Sequence, residues 1–126
     1  MIEKEVDLFN YLKRKYFDSL KKSPNVFDCF DCYNEDYYIE LKCRLAHYDK
    51  LLIEKSKYDR LIEQSYKYKL IPIYINSTPK GIWAFKINEL CIEWFERDMP
   101  KTTYFEDNDK VKKIVGFIDT NLGIIL

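Results

Sequence analysis

Charge of one sign does not dominate this chain. Its 21 lysines and arginines balance 21 aspartates and glutamates, which excludes the strongly basic proteins that coat nucleic acid by charge alone. Glycine is scarce, with 3 in 126 residues, and proline contributes 4. Linker-rich, collagenous and disordered classes need more of both. No apolar run approaches the roughly 18 residues of a membrane span. The opening stretch from Met1 to Asp7 mixes both charges and leads into no apolar signal segment. An intracellular, cytoplasmic protein with no membrane partner is the expectation. A glycine-rich phosphate loop, a serine nucleophile elbow and a dinucleotide fingerprint are all missing.

Core-forming material is plentiful: 47% of residues are hydrophobic and 17% aromatic, enough for a single domain over 1–126. Lysine outnumbers arginine 17 to 4. Charge is unevenly placed, with a net −4 over residues 23–39 and +3 over 40–70. An enzyme that holds cations beside nucleic acid has this order, because metal ligands are negative and phosphate contacts positive. A helix with solvated lysines produces the same pattern.

Leu8, Tyr11, Leu12, Tyr16 and Leu20 recur at helical spacing and predict a helix over 2–20 that stops at Ser23 and Pro24. Strands are expected over 25–33 and 37–43, joined by a turn at Asn34 to Asp36. A polar loop over 44–50 precedes a long helix over 51–69, which places Leu51, Tyr58, Leu61, Ile62 and Ser65 on one side. Further strands are expected at 70–75, where Pro72 argues for a strand end or edge, and at 82–87. A short helix over 88–97, containing Cys91 in its apolar pattern, leads to strands at 102–105 and 111–118 around a turn at 106–109. The order α-β-β-α-β-β-α-β-β, with a strand–helix–strand crossover at 37–75, predicts an α/β or mixed α+β class.

Chemistry concentrates at Glu40 and Lys42. On a strand, residues i and i+2 share a face about 7 Å apart, so an acid and an amine stand together while Ile39, Leu41 and Cys43 take the other face. A turn centred on Glu35 and Asp36 places Asp31 opposite Glu40; a turn centred one residue earlier or later changes the pairing, and Asp28 then competes for the same region. Paired carboxylates repel unless a hard divalent cation lies between them. An adjacent lysine then orients the attacking water or offsets charge in the transition state.

These residues, Phe30-Asp31-Cys32-Tyr33 and Ile39-Glu40-Leu41-Lys42-Cys43-Arg44 between two helices, resemble the PD-(D/E)XK nuclease superfamily. The following Glu54, Lys55, Lys57 and Tyr58 are similar to the polar motif many members carry there. The resemblance spans residues 1 to about 87, with its specific motifs in 28–57. It implies a small restriction-endonuclease-like fold, a central mixed sheet flanked by helices. It also implies a Mg²⁺- or Mn²⁺-dependent nuclease acting on nucleic acid, DNA first, in repair or recombination, as a homodimer or within a larger complex. By that match Asp31, Glu40 and the Leu41 carbonyl hold metal, with Asp28 as the alternative acid, and Lys42 assists the water. Lys55, Lys57 and Arg44 are the candidates for contact with phosphate. Glu5 on the first helix is a further candidate ligand.

A rival constellation is Cys29-x2-Cys32 followed by Cys43-x3-His47, a Cys₃His spacing that would suit a zinc-stabilised binding module. Cys29 and Cys32 have opposite strand parity, which opposes it. A catalytically silent nuclease-fold interaction protein is the other alternative. Tyr37, Tyr38, Tyr66 and Tyr68 are candidates either for base stacking or for packing.

Overall fold

Leu8 and Leu12 lie one helical turn apart and both are fully buried, which gives the first helix, α1 (Glu5–Lys15), its inward stripe. Glu5 and Asp7 in its first turn and Lys13, Arg14 and Lys15 in its last match the helix dipole. The computed structural model describes residues 2–24, 30–100 and 110–126. After α1 come β1 (Lys21–Lys22), β2 (Phe30–Tyr33), β3 (Tyr37–Cys43), β4 (Lys50–Glu54), α2 (Lys55–Tyr68), β5 (Ile71–Thr78) and β6 (Gly81–Lys86). A 3₁₀ turn at Ile87–Glu89 follows, then β7 (Phe95–Pro100), β8 (Lys110–Asp119), a second 3₁₀ turn at Thr120–Leu122 and β9 (Ile124–Ile125). The fold is mixed α+β.

Six strands form one sheet in the order β1-β2-β3-β5-β6-β9, in which β3 and β5 are parallel and the other neighbours antiparallel. The parallel pair requires a crossover, supplied by β4 and α2. Strands β4, β8 and β7 form a second, antiparallel sheet in that order. The central strands of the large sheet are buried on both faces. Ile39, Leu41, Ile73 and Ile75 pack with Leu8, Leu12 and Leu20 on the α1 side. Tyr38, Tyr74 and Phe85 pack with Leu61 of α2 and with Leu51, Ile53 and Ile118 of the second sheet.

Several boundaries differ from the sequence expectation. The first helix ends at Lys15, not Leu20, and Leu20 enters the core from the segment beyond it. The long helix expected over 51–69 begins at Lys55. Leu51 and Ile53 alternate inward on β4, whose five residues pair with β8 more than sixty positions away. The third helix, expected over 88–97, is absent. Leu90, Ile92 and Trp94 contact the core at a period of two, and β7 starts at Phe95. Cys91, expected in the core, is exposed for the same reason. Pro72 sits near the start of β5, before pairing with β6 begins at Ile73, so its missing N–H interrupts no bond to that strand. The expected strand at 102–105 and turn at 106–109 lie outside the described residues, as do Asp28 and Cys29. Among the described residues no helix is long and apolar enough to cross a membrane.

The second sheet meets the segment before β7 closely at Gly116, where an added Cβ would lie 2.3 Å from Ile92 Cγ2 and 3.0 Å from the Glu93 carbonyl oxygen. Gly116→Ala is therefore expected to destabilise the protein by about 1–3 kcal/mol. Urea unfolding of the two proteins checks this, and equal midpoints would contradict the packing described.

Candidate active site

The hairpin between β2 and β3 is fixed by its turn. Asn34 Oδ1 accepts hydrogen bonds from the Asp36 and Tyr37 amides at 2.9 and 2.8 Å, an Asx-type closure. The resulting register pairs Asp31 with Glu40 and Cys32 with Ile39. Alternation along β3 then divides its side chains: Ile39 and Leu41 enter the core under α1, while Tyr38, Glu40 and Lys42 take the opposite face.

Asp31 and Glu40 are both buried, at 1% and 3% exposure. Arg60 of α2 supplies the charge. Its Nη1 donates to Asp31 Oδ2, and its Nη2 donates to Asp31 Oδ1 at 3.2 Å and to Glu40 Oε1 at 2.5 Å. The Tyr38 hydroxyl adds a hydrogen bond to Asp31 Oδ2 at 3.0 Å. Burial, which outweighs the hydrogen bond from Ser23, pushes the Tyr38 hydroxyl up to about 12 and keeps it a donor. The two carboxylates thus converge on one point, 3.2 and 2.5 Å from the same nitrogen.

Glu40 also faces a cleft of about 310 Å³ lined by Lys42, Arg44, Glu5, Glu54, Lys57 and Lys113, with Leu52 and Met99 in its wall. The Lys42 ammonium is held below its ordinary value, first by burial and then by repulsion from Lys57 and Arg44, against the smaller attraction of Glu5 and Glu40. Glu5 accepts from the Cys43 amide at 3.5 Å. Arg44 is a strut: Nε donates to Asn76 Oδ1 at 2.7 Å, and Nη2 donates to the Leu52 carbonyl at 2.5 Å and to the Tyr74 hydroxyl at 3.3 Å. It lines the cleft while bonding to the protein. Lys57 bonds Glu54 at 3.3 Å. Lys55 turns away from the cleft to Asp59, at 2.8 Å, and the Trp94 ring. A neighbouring surface depression is lined by Lys55, Lys57, Lys112 and Lys113 together with Glu54 and Asp59. The first turn of α2 contains no acid, so its lysines stand where the helix dipole disfavours cations and favours an anion.

The structure thus joins Asp31 to Glu40 through Arg60 and brings Glu40, Lys42, Lys57, Arg44 and Glu5 together in the cleft. The zinc arrangement is not formed by the residues described. Cys32 is fully buried opposite Ile39, and Cys43 lies four residues farther along β3, about 13 Å away, well beyond a shared tetrahedral ion. His47 bonds Thr78 Oγ1 at 2.8 Å and Asp49 at 3.3 Å. Tyr38 and Tyr68 stack on each other at 6.3 Å, a packing role. Among the described residues no three His, Cys, Asp or Glu side chains cluster as a metal site.

Arg60 and Lys113 were not singled out by the sequence. Lys57 and Arg60 are i and i+3 on α2 and share a face, and arginine is rare here, two signals that point to Arg60. Lys113 reaches the cleft only through the long-range pairing of β8 with β4. No protein-family model, curated protein or solved structure matches this chain.

Glu54 holds the two cleft lysines together. Burial pushes its carboxyl up, but the hydrogen bond from Lys113 at 2.7 Å and the charge of Lys57 prevail and hold it below the ordinary 4.5. Its stabilisation is complete above 4.5 and is lost as pH falls through the lower folded value. Glu54→Gln is expected to cost about 1 kcal/mol at pH 7, with the difference shrinking below pH 4.5. Thermal unfolding across pH reads this, and a pH-independent difference would contradict it.

Proposed function

We propose that this chain is a metal-dependent nuclease that hydrolyses phosphodiester bonds in nucleic acid, DNA in the first instance, on a small restriction-endonuclease-like scaffold. The observation that carries the reading is the convergence of Asp31 and Glu40, from adjacent strands, on one point with Lys42 beside them on the same strand face. A site whose donors are carboxylate and carbonyl oxygens, without histidine or thiolate, is poor for zinc. It suits Mg²⁺ or Mn²⁺, which retain waters and take phosphate oxygens in the remaining positions.

Asp31, Glu40 and the Leu41 carbonyl would hold the ion, which when bound polarises a phosphoryl oxygen and lowers the pKa of its water. Lys42 holds an amine next to Glu40. Its depressed pKa eases loss of the proton, so it can orient or deprotonate the attacking water. Lys57 and Lys113 project into the cleft, and Lys55 and Lys112 extend the cationic surface beyond it. That strip gives a phosphate backbone a local path across a chain whose net charge is zero. A second reading, a nuclease-like scaffold that binds without cutting, draws support from the guanidinium already bridging both acids.

Labelled duplex, single-stranded and branched DNA and RNA, incubated with Mg²⁺ or Mn²⁺, test the choice. Cleavage by the wild type is expected, with Glu40→Ala and Lys42→Ala each reducing its rate by about 100-fold or more while circular dichroism stays unchanged. Absence of cleavage on every substrate, or equal rates in all three proteins, would remove the nuclease reading.

A further inference from the structure

Arg60 makes more than an ordinary ion pair. One guanidinium spans two acids from neighbouring strands, bonding both oxygens of Asp31 and one of Glu40. Its side chain is 27% exposed, whereas those of Asp31 and Glu40 are 0% and 4% exposed, so the guanidinium stands between the acid pair and water. Glu40 lines the cleft and Asp31 does not; Arg60 and the Tyr38 hydroxyl close Asp31 off. Two buried carboxylates this close cannot both stay ionised without a cation. A planar, five-donor group can satisfy both at once, and a lysine ammonium does so poorly.

We propose, resting on the nuclease reading above, that Arg60 is a built-in placeholder for the divalent cation, occupying the point between Asp31 and Glu40 until the metal and a substrate phosphate arrive. Guanidinium and metal contend for the same oxygens, so each excludes the other, and apparent metal affinity is reduced by the fraction of chains in which Arg60 is seated. Once displaced, the guanidinium remains tethered to α2 on the face that carries Lys57. There a phosphate is the partner that best matches its forked donors. Metal and nucleic acid each then promote binding of the other. Arg60 positions the acids and does not itself react.

The test is Mn²⁺ titration, read by the paramagnetic signal of free Mn²⁺ and by thermal unfolding, on the wild-type chain, Arg60→Met and Arg60→Lys. Arg60→Met is expected to melt lower than wild type without metal and to show the larger Mn²⁺-induced rise in Tm. Its Mn²⁺ dissociation constant is expected to be about tenfold tighter. Arg60→Lys, which keeps the charge but loses the fork, is expected to fall between the two and decides the matter if Arg60→Met does not fold. Equal Mn²⁺ affinity in wild type and variants, or weaker affinity in the variants, overturns the placeholder role; wild-type cleavage would then still uphold the nuclease reading. Absence of Mn²⁺ binding by all three proteins, together with absence of cleavage, overturns both.

Discussion

Two carboxylates buried side by side on adjacent strands are stable only with a positive charge between them. Asp31 and Glu40 are in that position because the Asn34 turn sets the hairpin register, and the constraint reaches well beyond the hairpin. α2 must pack across the sheet so that Arg60 reaches both acids, and Tyr38 must keep its hydroxyl proton to complete the shell of Asp31. Removing the cation without replacing it would leave charge buried and unpaired, among the costlier defects a core can carry. That cost explains why the Arg60 guanidinium belongs to the folded state.

The rest of the architecture brings further charge to the same place. The crossover from β3 to β5 carries the chain through β4 and α2, which sets the N-terminal end of α2, with Lys55 and Lys57, beside the end of β3. The second sheet adds Lys113 from β8 and Met99 from β7 to the same cleft. Arg44 ties the end of β3 to β5 and to the Leu52 carbonyl of β4 through Asn76, Tyr74 and the strand backbone. The cleft is thus framed by elements far apart in sequence, with Glu54 bridging the lysines of α2 and β8.

Much of the acid pair was legible in the sequence because it is built from local rules. A turn flanked by two short strands fixes pairing arithmetically, and period-two alternation puts Glu40 and Lys42 on one face. The misread segments are those in which distant partners override local pattern. Leu51 and Ile53 fit a helical stripe as well as a strand until β8 is seen to pair with them. Leu90, Ile92 and Trp94 alternate against a core assembled from β3, β4, α2, β5, β6 and β8, so their period could be recognised only with that core in place. Arg60 lies in a helix whose buried residues are Leu61 and Ser65, and only Lys57, one turn before it, marks the face it shares. That shared face and its rarity in a lysine-rich chain were the available clues.

The most direct measurement is a crystal structure of the protein soaked in Mn²⁺, with anomalous scattering recorded at the manganese edge. The expected result is a single anomalous peak within coordination distance of Asp31 and Glu40, with the Arg60 guanidinium moved off both carboxylates. Well-ordered density for Arg60 still bridging the two acids at saturating Mn²⁺, with no peak between them, would contradict the shared-cation site on which the enzymatic reading stands.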